Sequence, residues 1–105
     1  MMYGLKLESI HAIQEVLARY PDVDKAILYG SRAIGNHRVG SDIDMTLLGD
    51  KLDLTKLQKI ELELDELLLP YKLDLSLHQQ IQNLELLAHI SRVGKVFYSK
   101  EVVLV

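Results

Sequence analysis

The chain has 105 residues, 49% of them apolar and 26% charged, with a formal net charge of −3 and no cysteine. That length suits one domain, 1–105, and that apolar content is too high for a disordered segment. Without cysteine there are no disulfides, zinc–thiolate sites or thiol nucleophiles, and the negative charge disfavours a general nucleic-acid binder while leaving nucleic acid open as an acceptor.

From Leu7 to Tyr20 the apolar residues Ile10, Ile13, Leu17 and Tyr20 recur at three and four, one face of an amphipathic helix stopped by Pro21. KAILYG reads as a short buried strand ending at Gly30, and a loop from Ser31 to Gly40 then carries Arg32, His37 and Arg38. SDIDMTLL alternates with period two, setting Ile43, Met45 and Leu47 against Asp42, Asp44 and Thr46. A second helix follows in TKLQKIELELDELLLP, with Leu57, Ile60, Leu64, Leu67 and Leu68 on one face, a Thr55/Gln58 capping box and Pro70 as its stop. In YKLDLSLH, Leu73, Leu75 and Leu77 face one side of a strand and Lys72, Asp74, Ser76 and His78 the other. A third helix runs from Asn83, as N-cap, to Gly94, and KVFY adds a last short strand. This order predicts a small α/β (α+β) domain, a mixed sheet covered by helices. The longest apolar runs are far short of a bilayer span and MMYGLKLESI has no signal-peptide core, so a cytoplasmic protein without a membrane partner is expected.

Asp42 and Asp44 stand two residues apart on a strand, so both leave the same face with Cα atoms roughly 6.6 Å apart. Two carboxylates about 5 Å apart repel by roughly 3 kcal/mol at an effective dielectric of 20. A divalent cation removes that penalty, and all-oxygen ligands favour Mg²⁺ or Mn²⁺ over zinc. Asp74, on the polar face of the later strand, joins the pair if the two strands are neighbours. Three acids on one sheet face suit metal-assisted phosphoryl chemistry. The plainer alternative, a solvated polar face, fits any single one of them, but aspartate is a poor strand former.

Gly30, Ser31 and Arg32 follow the first strand, where backbone N–H groups, a hydroxyl and a cation can meet phosphate oxygens; a flexible hairpin connection is the alternative. GSRAIG has the glycine spacing of a P-loop, yet Asn36 and His37 occupy its Lys and Ser/Thr places, so the Walker reading fails. DIDMTLLGD likewise fails as an EF-hand. His11, His37, His78 and His89 show no metal-ligand spacing, although His78 shares a face with Asp74, and Tyr29 reads as core.

GSRAIG, then SDIDMTL, then LDLSL resembles the nucleotidyltransferase domain of the DNA polymerase β superfamily, above all its minimal, stand-alone (MNT-type) members. The resemblance spans the chain from the first helix to GKVFY and implies the nucleotidyltransferase (polymerase β-like) fold. It implies that Gly30 and Ser31 bind nucleotide phosphates, that Asp42 and Asp44 hold two Mg²⁺ ions (or Mn²⁺), and that Asp74 is base and metal ligand. Ile34 stands where many relatives carry a second basic residue. The implied reaction moves a nucleoside monophosphate, AMP from ATP, to a hydroxyl.

Leucines cover more than one face of the second helix, with Leu62, Leu64 and Leu69 beside the core set, and the chain ends in EVVLV. That excess points to a partner protein or a homodimer. In relatives the partner is a small helical protein of the HEPN type, and toxin–antitoxin members place AMP on a tyrosine of it. An antitoxin-like module that neutralises such a partner by contact alone is the alternative from another class; a nucleotide sensor without turnover is a third.

Overall fold

A computed structural model describes residues 1–101, so the four apolar residues 102–105 of the tail lie outside the described residues. The elements in chain order are α1 (Leu7–Ala18), β1 (Lys25–Tyr29), α2 (Ser31–Ile34), β2 (Ile43–Leu48), α3 (Leu54–Asp65), β3 (Leu73–Leu77), a 3₁₀ turn (His78–Gln80), α4 (Leu84–Val93) and β4 (Lys95–Ser99). The strands form one sheet in the order β3-β2-β1-β4. β1 is antiparallel to β2 and to β4, whereas β2 and β3 run parallel. The expected mixed sheet covered by helices is therefore present. None of the described helices is long and apolar enough to cross a membrane.

One face of the sheet is the core. Ile10, Ile13, Val16 and Leu17 of α1 and Leu57, Ile60 and Leu64 of α3 close over Ala26 and Leu28 of β1 and Ile43, Met45 and Leu47 of β2. The period-two pattern of β2 thus puts its aliphatic residues under two helices and turns its acids to the opposite face. α4 crosses that opposite face, where a side chain at Gly94 would come within 2.7 Å of the Ile27 Cγ2 methyl. β4 carries a bulge between its pairings with Ala26 and Ile27, so Phe97 has no partner across the ladder. The freed Phe97 carbonyl accepts from the Gln14 side chain of α1 at 2.9 Å, and both Phe97 and Tyr98 enter the core.

Three sequence expectations need correction. α3 stops at Asp65, not at Pro70, because Leu67 and Leu68 donate to Leu64 and Asp65 in tightened i→i−3 turns. Leu68 then adopts a left-handed conformation (φ 53°) and is 87% exposed, outside the core face assigned to it. α1 likewise ends at Ala18; Tyr20, beyond it, still packs against the core and donates its hydroxyl to Glu63 of α3 at 2.6 Å. Finally, Asp53 and not Thr55 caps α3, its Oδ1 accepting from the Lys56 N–H at 2.9 Å. The loop from Ser31 to Gly40 also opens with the single helical turn of α2.

The cap assignment is testable by urea unfolding. Asp53→Ala is expected to lower stability by about 1 kcal/mol, and Thr55→Ala by a few tenths at most, because only the former orphans a helical N–H. Equal losses would return the cap to Thr55.

Candidate active site

The parallel pairing of β2 with β3 sets Asp44 directly opposite Asp74, and the antiparallel pairing of β2 with β1 sets Asp44 opposite Tyr29. Neighbouring strands are about 4.8 Å apart, so the Asp44 and Asp74 side chains rise side by side from one face. Asp42 stands one residue before β2, on the same face by alternation, and is exposed. Asp44 is half-buried, whereas Asp74 on the edge strand is exposed. Burial, then the charge of Asp74, then that of Asp42 push the Asp44 carboxyl above its ordinary value, with His89 opposing.

Gly30 joins this acid group to the end of β1. Its φ of 75° and ψ of −157° lie where only glycine is comfortable, and a Cβ there would sit 2.4 Å from Asp44 Oδ2. The carboxylate lies, in effect, on the glycine. Ser31 opens α2, and at the start of a helix its N–H has no acceptor within the helix. Gly30 and Asp44, which are far apart in the sequence motif, are therefore close-packed neighbours.

Arg32 takes a different place from the phosphate-facing one expected of it. It is 3% exposed; Nε and Nη2 donate to the Ser41 carbonyl at 3.1 and 2.7 Å, and Nη1 donates to the Tyr3 carbonyl at 2.9 Å. Arg38 and Ile34, by contrast, are exposed. His78 lies beyond β3 in the 3₁₀ turn, with its buried Nδ1 unpartnered among the described residues. Thr46, on the face that carries the acids, is fully buried and accepts the Ser76 hydroxyl at 3.0 Å.

Sequence spacing gives His89 no role, yet the structure puts it in the site. From α4 its Nε2 accepts the Gly30 N–H at 3.1 Å, and its ring meets Tyr29 edge-on with centroids 6.1 Å apart. The contact closes 59 residues of chain, which no local pattern announces. Tyr29 is half-buried; burial pushes its phenol up, the Ser76 hydroxyl opposes this, and Asp44 and Asp74 add to the rise.

Among the described residues no three acidic or imidazole groups converge as a ready-made metal cage. The donor set nevertheless fits Mg²⁺, which is commonly held by one or two carboxylates with the remaining positions left to water and substrate phosphates. Asp44 and Asp74 supply that pair, and none of the three described ion pairs involves Asp42, Asp44 or Asp74. The acids' mutual repulsion is the unmet demand a cation would satisfy. A concavity of about 450 Å³, lined by Pro21, Asp22, Asp24, Asp50, Lys51 and Lys100, lies at the other end of β1. There two of the three acids are already paired, Asp22 with Lys56 and Asp24 with Lys100, both at 2.8 Å.

Because the folded protein holds the Asp44 pKa above its unfolded value, ionised Asp44 costs stability at neutral pH. Asp44→Asn is expected to raise the melting temperature at pH 7. The gain should shrink as pH falls through the folded and then the unfolded pKa, where the wild-type carboxyl takes up its proton. Calorimetry across that range checks this; a melting temperature lowered at every pH would contradict the electrostatic account.

Comparison with known proteins agrees with this geometry. The family model described as polymerase beta, nucleotidyltransferase matches residues 11–102. No curated protein matches in sequence. A toxin–antitoxin structure with AMP-PNP superposes with a TM-score of 0.70 at 22% identity, covering 88% of this chain and 74% of that one. The complex of a tri-AMPylated Shewanella oneidensis HEPN toxin with its MNT antitoxin gives 0.67 at 19% identity, covering 92% and 75%. The toxin–antitoxin MntA–HepT gives 0.66 at 19%, covering 91% and 74%. At such identities these structures speak to the fold, and the family match speaks to the chemistry: the chain belongs to the polymerase β nucleotidyltransferase family.

Proposed function

We propose that this nucleotidyltransferase moves AMP from ATP to a hydroxyl on a second, helical protein, a tyrosine in the HEPN-like case, within a toxin–antitoxin pair. The observation that carries the reading is the in-register placement of Asp44 beside Asp74 with the Asp44 carboxylate against Gly30. A triphosphate lying along the Gly30–Ser31 turn would meet the backbone N–H and hydroxyl of Ser31, which lies at the start of α2. Its α-phosphorus would then lie over the acids. Asp74, exposed on the edge strand β3, is the carboxylate best placed to take the proton of an acceptor that arrives from outside the chain. The acceptor oxygen forms a bond to the α-phosphorus as the α–β bridging P–O bond breaks, and pyrophosphate leaves with that electron pair.

Asp42, Asp44 and Asp74 are the residues that would hold Mg²⁺ or Mn²⁺, whose chemistry here is to neutralise the triphosphate and the charge on the leaving group. The same positive charge would relieve the repulsion that raises the Asp44 pKa. A partner-borne acceptor is supported by exposed apolar side chains on both sides of the sheet, on α4 over the acid-bearing face and on α3 over the other. Leu62 and Leu68 are 63% and 87% exposed on α3 and the segment that leads to β3, and Leu84 of α4 is 79% exposed. The same leucines favour a second reading, neutralisation of the helical partner by contact alone.

The two readings separate in one experiment. With α-labelled ATP and Mg²⁺ in a lysate of the source cells, label should enter a discrete protein band and be lost with EDTA. Asp44→Asn should lower transfer by at least about 100-fold, since even the partners of metal ligands cost about 10–100-fold. If α-label enters no protein, RNA or small molecule while the protein still captures its partner, contact neutralisation stands in place of transfer.

A further inference from the structure

The guanidinium of Arg32 is buried, and neither the phosphate nor the acceptor chemistry uses it. Each of its three nitrogens already donates to a protein carbonyl, two of them to Ser41 O. Ser41 immediately precedes Asp42, and its hydroxyl is held in turn by the Arg38 N–H at 2.9 Å. The Tyr71 ring covers the guanidinium with its centroid 4.9 Å from Cζ, and Tyr71 lies three residues before Asp74. Arg32 itself lies two residues after Gly30. One rigid, planar group therefore touches the approach to each acid-bearing strand and belongs to the turn on which Asp44 rests.

The N-terminal turn seals this arrangement. Gly4, at φ +70°, lies so close that a Cβ would come within 3.0 Å of Arg32 Nη1 and 2.2 Å of His37 Nε2. A cavity of about 180 Å³ remains on that side, lined in part by Gly4, Arg32, His37, Arg38 and Tyr71, but every guanidinium nitrogen is already committed to a carbonyl. A lysine could not substitute: a single ammonium lacks the planar fork that places two donors on one carbonyl and a third on another while stacking on a ring.

We infer that Arg32 is a positioning residue, which fixes the backbone of Ser41 and so the reach of Asp42 toward the metal-holding pair, and is not a phosphate ligand; this rests on the transferase reading above. Loss of the fork would let the segment before β2 drift while Gly30, Ser31 and the Asp44–Asp74 register stay in place. Metal affinity would fall, and nucleotide affinity without metal would not.

The test uses the full chain. Mn²⁺ binding is followed by electron paramagnetic resonance in the presence of a non-hydrolysable ATP analogue, and analogue binding is measured separately in EDTA. For Arg32→Lys, Mn²⁺ affinity should weaken by about 10–100-fold while analogue affinity in EDTA changes by less than about twofold, the signature of a lost supporting partner. In turnover, kcat should fall, KM for ATP should hold, and excess Mg²⁺ should recover part of the loss. A parallel fall of analogue affinity in EDTA would make Arg32 a phosphate ligand and overturn the inference. Unchanged Mn²⁺ affinity with only a lower melting temperature would overturn it too. If Arg32→Lys does not fold, Tyr71→Leu removes the covering ring and keeps the hydrogen bonds; weaker Mn²⁺ binding is again expected, and unchanged binding refutes the idea. Should the Mn²⁺ difference appear in a wild-type protein that transfers no nucleotide, the transferase reading fails and the positioning role of Arg32 stands.

Discussion

Asp44 stays beside Asp74 although the two repel, and the packing of the fold holds it there. Alternation leaves β2 no freedom to turn the acid away, because Ile43, Met45 and Leu47 on its other face are at most 1% exposed beneath α1 and α3. A slip of one residue would bury the acids and expose the aliphatics, a far larger cost than the repulsion. The apolar core therefore holds a polar site that by itself would fly apart. Stability is given up locally and recovered on the opposite face of the same strand.

The same placement depends on the topology. Two strands that pair in parallel need a crossover, and here α3 supplies it, capped at Asp53 and fastened to the sheet by Leu57, Ile60 and Leu64. An antiparallel hairpin would join β2 and β3 more cheaply, but it would bring the far end of β3 beside Asp44. The crossover brings both strands in from the same side, so Asp44 and Asp74 share one register position near the strand starts. β1 runs the other way and ends at that position, which delivers Gly30 to Asp44. Three strands thus meet at one point, β1 arriving there and β2 and β3 setting out from it.

What the sequence discloses of this site follows the range of the interaction involved. Asp42, Asp44 and Asp74 are legible because alternation is a local code, and an acid inside an aliphatic alternation stands out. Asn83 is legible as a cap for the same reason, its carboxamide reaching only three residues along the chain to Leu86. The burial of Arg32 is not legible, because composition shows a cation in a glycine-bounded loop and cannot show that its guanidinium is buried against the carbonyls of Tyr3 and Ser41. Leu68 is misread because a helical stripe of leucines continues past the point where the backbone turns left-handed. His89 is invisible because its partner is a backbone N–H far along the chain, and a backbone group leaves no mark in a sequence.

That histidine also bears on how the site would receive a ligand. Nε2 accepts from Gly30, so the neutral ring carries its proton on Nδ1. A single N–H cannot make two good hydrogen bonds, so a phosphate oxygen that takes the Gly30 N–H must displace the imidazole. α4 carries the ring, and among its residues only Ile90 is buried, with Leu86, Leu87 and Val93 half-covered. Such a helix is held more loosely than α1 or α3, each of which buries at least three residues in the core. A phosphate held by Ser31 alone would leave that contact intact, whereas one that took the Gly30 N–H would compete with the seat of the least anchored long helix in the fold. The energy at stake is that of one hydrogen bond, about 1 kcal/mol, enough to shift a helix end and too little to oppose a triphosphate.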